Sequence, residues 1–342
     1  MFLNERAVKQ VSLASHRKQK IEEGTSIDTK AKTTLQGWSA SEIPPQTGKQ
    51  VVVTGATGGL GYEVALGLAQ GCADVVLAGR NEAKGREAAA KIRDLAPKAL
   101  VRFEQLDLAD LESVAAFARR VCTVGRPLDL LVNNAGVMAL PVRRVTADGF
   151  EMQLGTNYLG HFALTGLLLP LLRASRNARV VQVSSLAHRF GQISFDNLHG
   201  ERRYHPWAAY SQSQLATLLF ARELQRRSDG RGWGLRSFAV HPGYAQTNLF
   251  ANGLGRGGVL GLLHRSLGRM MSQSAADGAR PALFAAVSES AQPGGFYGPD
   301  GLFELAGRPA HAHVAGRARD VEVARRLWEV SEELTGVRWP AE

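Results

Sequence analysis

Cysteine is nearly absent: Cys72 and Cys122 are the only two in 342 residues. That excludes a disulfide-stapled secreted scaffold, and neither has metal-type spacing around it, so no metal site is expected from them. Both fall inside helical patterns and read as free, buried thiols of a reducing compartment. Also missing is any run approaching the roughly 18–20 apolar residues of a membrane span. The N-terminus has no apolar core beside a cleavage site, which argues against a secretory signal. Cytoplasmic is therefore the expected location. No concentrated basic face is present either. Lys and Arg number 41 against 31 Asp and Glu, a net charge of +10, yet the basic residues are spread along helix faces with no interleaved aromatic stripe. Nucleic acid is not an expected partner. His311 and His313, beside Pro309, read as a polar loop rather than a metal site.

What is present begins with a polar, mixed-charge stretch, residues 1–48, closed by Pro44-Pro45 and Gly48. It reads as a flexible extension whose end is clamped onto the domain by Trp38 and Ile43. From Lys49 short apolar runs alternate with helical patterns. Strands are expected at Val51–Thr54, Asp74–Ala78, Leu100–Gln105, Leu128–Val132, Arg179–Ser184 and Leu235–His241. Helices are expected at Gly61–Gln70, Glu82–Leu95, Asp110–Val124, Gly149–Ser175 and Trp207–Arg227. Strands apolar throughout and separated by helices make a parallel sheet covered on both faces, a doubly wound α/β domain. Beyond it lie a glycine-rich apolar stretch at about 248–272, a helix at Ser274–Ser288, a strand at Gly301–Leu305 and a helix at Asp320–Leu334. The main domain is placed at 49–306, with 307–342 a C-terminal loop and helix.

The first strand, Val51-Val52-Val53-Thr54, runs into Gly55-Ala56-Thr57-Gly58-Gly59-Leu60-Gly61 and then a helix. Glycines at 55, 59 and 61 allow a tight turn, backbone approach to a diphosphate and close helix packing. About 20 residues on, NAD-binding domains carry a carboxylate for the ribose hydroxyls. Here the place reads Ala78-Gly79-Arg80-Asn81, and Arg80 suits a ribose 2′-phosphate, which favours NADP(H) over NAD. Asp107-Leu108 and Asn133-Asn134-Ala135-Gly136 follow the third and fourth strands, at the carboxyl ends where an open α/β sheet binds its ligand.

These motifs, with Ser184-Ser185, Tyr210 and Pro242-Gly243 before Thr247, come in the order found in classical short-chain dehydrogenases/reductases, and residues 49–250 resemble that family. Thr156-Asn157-Tyr158-Leu159-Gly160-His161-Phe162 and Ala209-Tyr210-Ser211-Gln212-Ser213 resemble its retinol dehydrogenase and protochlorophyllide-reductase-like members, which mostly use NADP(H). The resemblance implies a Rossmann fold and hydride transfer between NADP(H) and a carbonyl or the matching alcohol. It implies that Gly55, Thr57, Gly59, Leu60, Gly61, Arg80, Asp107, Leu108, Asn134 and Gly136 line the cofactor, and that Thr247 meets its carboxamide. Asn157 would hold a water of a proton relay, Ser185 would bond the substrate oxygen, and Tyr210 would give or take the proton. The stretch at 248–272 takes the place of a substrate lid; its apolar content suits a hydrophobic substrate, contact with a membrane surface, or a helix packed on the core. Homo-oligomers built through the fourth and fifth helices are common in the family.

One position departs from the pattern. The family has Tyr-x-x-x-Lys, and this chain has Tyr210-Ser211-Gln212-Ser213-Gln214. Gln214 can still donate a hydrogen bond to a ribose hydroxyl, but it carries no charge. At an effective dielectric near 20, a unit charge about 5 Å away acts on a phenol by roughly 3 kcal/mol, about two pKa units. Its loss hurts alcohol oxidation, which needs the phenolate, more than carbonyl reduction, which needs the phenol. Two readings follow: a working reductase with an altered relay, or an NADP(H)-binding pseudoenzyme acting as a sensor or partner-binding protein. Arg189 is a candidate to replace the missing cation.

Overall fold

The computed structural model describes residues 38–244 and 273–340. Its eight strands form one sheet in the order β3-β2-β1-β4-β5-β6-β7-β8. They are β1 Gln50–Thr54, β2 Asp74–Gly79, β3 Val101–Gln105, β4 Leu130–Asn133, β5 Arg179–Val183, β6 Arg236–Val240, β7 Phe296–Pro299 and β8 Pro309–His311. Every neighbouring pair is parallel except β7 and β8. Val51 lies beside Val75 on one flank and Leu130 on the other, so three apolar strands meet in register. All five residues of β1 are buried. That is why its sequence does not alternate: helices cover both faces.

The helices are α1 Gly59–Gln70, α2 Glu82–Leu95, α3 Leu111–Thr123, α4 Gly160–Ala174, α5 Pro206–Arg231, α6 Ala275–Val287 and α7 Val321–Thr335. Asn81 and Asp110 cap α2 and α3 by accepting backbone N–H groups, and Pro206 opens α5 in the first turn. Ahead of α4 the chain passes through a short helical turn, Met152–Leu154, and a π-helical segment, Gly155–Leu159. The sequence pattern showed one continuous helix there. Such a segment widens the helix locally, and Asn157 sits in it.

Strand order reverses between β1 and β4, which opens a crevice at the carboxyl ends of those two strands. The expected strand at Gly301–Leu305 is a turn holding a short 3-10 helix, Leu302–Glu304, while the strand lies earlier, at Phe296–Pro299. Gly295 and Gly298 obscured it; a side chain at Gly298 would run into the His241 ring. The sheet continues beyond residue 306, because His311 pairs with Tyr297 in β8, and the polar loop expected around His311 is in part a strand. Cys72 lies in the turn after α1 with φ 68°, outside the helix, and both thiols are half-buried rather than fully buried. Trp38 packs edge-on against Phe284 at 5.6 Å, the clamp expected of it.

On the outer face of α4 and α5, Phe162 and Phe220 meet Trp328 of α7 at 5.1 and 5.6 Å, and Trp339 closes over them. The Tyr158 and Ser331 hydroxyls bond at 2.6 Å beneath this cluster. The chain's own C-terminal helix therefore covers apolar side chains of the helix pair through which oligomers were expected. No helix among the described residues is long and apolar enough to cross a membrane.

Candidate active site

A cleft of about 1100 Å³ opens where the strand order reverses. Thr54-Gly55 and Gly58 to Gly61 form its floor, Arg80 one rim, and Ser185, Tyr210, Gln214 and Pro242-Gly243 the far end. The floor needs glycine. Gly55 has φ 66°, and a methyl group there would lie 2.8 Å from the Cα of Ala135. At Gly61 it would come within 2.5 Å of the Gly55 carbonyl oxygen. No side chain caps the first turn of α1, so its N–H groups are left to face the cleft. That is a cradle for a diphosphate, and the residues present fit a dinucleotide.

Arg80 and Lys84 both line this cleft, are exposed, and have no ion-pair partner among the described residues. Lys84 was not singled out from the sequence. Its signal was its place in the first turn of a helix capped by Asn81, four residues after Arg80. Asp107 and Leu108 also line the cleft, but one Asp107 carboxylate oxygen is engaged by the Ala109 N–H at 2.9 Å.

The loop after β4 is tied to β1 through one hydroxyl. Thr54 Oγ1 accepts the Asn134 and Ala135 N–H groups at 2.9 and 3.0 Å, and Asn134 Nδ2 donates to the Thr54 carbonyl at 2.8 Å. His161 Nδ1 lies 2.9 Å from the Asn157 carbonyl, an acceptor, so Nδ1 carries the proton and Nε2 accepts from Thr54 Oγ1 at 2.9 Å. Burial holds His161 down at about 4, which keeps the ring neutral. The Asn157 side chain is fully engaged: it accepts the Val137 N–H at 2.8 Å and donates to the Val137 carbonyl and the Ser213 hydroxyl, both at 2.9 Å. Ser213 in turn donates to the Tyr210 carbonyl at 2.8 Å. Hydrogen bonds to the backbone and side chain of Asn157 thus link the cofactor floor to the helix turn carrying Tyr210.

Ser185 lies two residues past the end of β5, accepts the Ala187 N–H and sets its hydroxyl where it acts on the Tyr210 phenol. Burial pushes the phenol up, the Ser185 hydroxyl counteracts in part, and no cation among the described residues acts on it. Gln214 sits one turn beyond Tyr210, is 5% exposed, and its side-chain amide has no partner among the described residues. Arg189 does not stand in for the absent lysine, because its guanidinium is paired with Glu304 at 2.7 Å. Thr247 and the stretch at 248–272 lie outside the described residues.

Fold and site together define a class: a nucleotide-binding, parallel α/β protein with a serine–tyrosine pair at the far end of the dinucleotide cleft. Comparison with known proteins gives the family. The family model described as short chain dehydrogenase matches residues 49–254. The chain is 44% identical over 299 residues to the polyprenol dehydrogenase of Mus musculus, covering 86% of each protein. It is 43% identical over 293 residues to retinol dehydrogenase 12 of Homo sapiens, covering 85% of this chain and 88% of the relative. An uncharacterised protein from Mycobacterium paratuberculosis superimposes with a TM-score of 0.74 at 42% identity, over 90% of this chain and all of that one. A short chain dehydrogenase from Escherichia coli CFT073, complexed with NADPH, gives 0.58 at 25% identity over 74% of this chain and 96% of that one. The chain belongs to the short chain dehydrogenase family, and its general role is that of an oxidoreductase.

Proposed function

We propose that this chain reduces the carbonyl group of a hydrophobic small molecule with NADPH. The reading rests on one observation above the rest: the Tyr210 phenol, pushed up by burial, lies with Ser185 and Gln214 at the end of a glycine-floored cleft. Bound NADPH would supply the hydride. Arg80 and Lys84 would hold its ribose phosphate, and the uncapped first turn of α1 its diphosphate. The Ser185 hydroxyl would hydrogen-bond the substrate oxygen and stabilise the negative charge that develops there. Tyr210 would then pass its proton to that oxygen. Gln214, its amide without a partner among the described residues, would bond the nicotinamide ribose without lowering the Tyr210 pKa. A phenol held protonated suits reduction over oxidation. The relatives named for polyprenol and retinol support an apolar alcohol–carbonyl pair, and an NADPH-complexed neighbour supports the cofactor.

The neutral Gln214 and the diverted Arg189 also favour a second reading, in which NADP(H) binds and serves sensing rather than turnover. Steady-state rates with NADPH over a panel of apolar aldehydes and ketones separate the two. The reductase reading expects turnover by the natural chain at neutral pH. In Gln214→Lys it expects the pH midpoint of alcohol oxidation to fall by about two units, with reduction changed less. Tight NADPH binding without turnover, and turnover appearing only in Gln214→Lys, would overturn it.

A further inference from the structure

The mechanism leaves one polar cluster unused, directly behind the cleft. Phe303 and Glu304 are consecutive non-glycine residues with left-handed backbone, φ 53° and 60°, a conformation that persists only where its surroundings impose it. The turn's apolar side chains do not impose it, since Leu302 and Phe303 are 76% and 71% exposed. The Glu304 carboxylate does. Its Oε2 accepts from Arg189 Nη2 at 2.7 Å and from His241 Nε2 at 2.9 Å, and its Oε1 accepts the His313 N–H at 2.9 Å. The tautomer of His241 follows from its other nitrogen: Nδ1 accepts the Gly243 N–H at 3.1 Å, so Nε2 carries the proton.

Each partner belongs to a different wall of the site. Arg189 lies in the 3-10 turn Leu186–Phe190, whose cap is Ser185. His241 is fully buried and holds Gly243, which lines the cleft with Pro242. The next residue, Leu305, accepts the Tyr244 N–H at 2.7 Å and so grips the same loop from its other side. Glu304 itself does not line the cleft.

We infer that Glu304 is a positioning residue of this site, setting the Ser185 segment through Arg189 and the Pro242-Gly243 loop through His241. Only a carboxylate fits the post. Three donors converge on its two oxygens, and a glutamine would turn its NH₂ against either His313 N–H or the Arg189–His241 pair. Because the two arms reach different walls, they carry different kinetic signatures.

The test measures the NADPH dissociation constant by nicotinamide fluorescence, kcat with a saturating apolar aldehyde, and melting temperature, in four variants. Arg189→Met is expected to lower kcat about tenfold through a displaced Ser185, with NADPH binding within about twofold of the natural chain. His241→Phe, which keeps an aromatic ring against Phe296, is expected to weaken NADPH binding about tenfold. Glu304→Gln combines both losses. Glu304→Gly relieves the left-handed backbone, holds its melting temperature, and still shows both losses. The inference is overturned if Glu304→Gly keeps kcat and NADPH binding within about twofold of the natural chain, or if all four variants change both parameters only in step with melting temperature. The kcat arm rests on the reductase reading; if the natural chain does not turn over, that reading fails by itself, and NADPH binding in His241→Phe and Glu304→Gly still decides this one.

Discussion

At the scale of single residues, the proposed preference for NADPH rests on charge at the cleft rim. Arg80 and Lys84 have no ion-pair partner among the described residues, so their charges are available to a phosphate. A hydrogen bond to a charged group contributes about 1.5–3 kcal/mol, so Arg80→Ala should weaken NADPH binding roughly 10- to 100-fold. NADH, lacking the 2′-phosphate, should change little. Fluorescence titration of both cofactors checks this; equal losses would show that Arg80 does not select. Tyr210 shows how much local sequence leaves open. Its place one turn before Gln214 was legible from spacing. That no cation among the described residues reaches it was not, because Arg189 is turned to Glu304 by a contact spanning more than a hundred residues.

At the scale of elements, α7 illustrates how a helix earns its place by packing. Ala324, Leu327 and Trp328 line up near helical spacing and are buried, while Glu322 and Arg325 stay outside and pair at 2.6 Å. The Arg227 guanidinium lies over the Trp328 ring, 4.3 Å from its centre. Trp328→Ala should therefore cost about 3–5 kcal/mol, read as a lower denaturant midpoint. A change near zero would mean that α7 is not part of the cooperative fold. The helix itself was legible from its periodicity. What it covers was not, because Phe162 and Phe220, its partners on α4 and α5, look in sequence like any other core positions. The missed strand β7 has a related cause: it is four residues long, carries a glycine and a proline, and is defined by what pairs with it on each side.

At the scale of the whole molecule, buried histidines set the acid limit. Burial lowers both His161 and His188 from 6.5 to about 4. Between those values the unfolded chain binds protons at these sites and the folded chain does not, so stability is complete above about pH 6.5 and falls as pH drops toward 4. Each site forfeits on the order of 3 kcal/mol across that window. Against a typical total of about 5–15 kcal/mol, the pair removes roughly 6 kcal/mol by pH 4 and should lower stability steeply below pH 6.5. Denaturant midpoints measured from pH 7 to 4 test this, with His161→Gln expected to flatten the slope. A stability independent of pH over that interval would contradict neutral, buried histidines.

The sequence by itself determined what depends on neighbours along the chain. Its periodicities set the parallel core strands and the helices between them, its glycines set the dinucleotide floor, and ordered motifs named Asn157, Ser185, Tyr210 and Gln214. Tertiary structure decided what depends on groups far apart in the chain. It engaged the Asn157 side chain with Val137 and Ser213, and placed Lys84 on the cleft rim. It diverted Arg189 to Glu304 and laid α7 over α4 and α5. Backbone patterns act over a turn or a strand length, whereas the charge beside a phenol is set by whichever side chains the fold brings within a few ångströms of it.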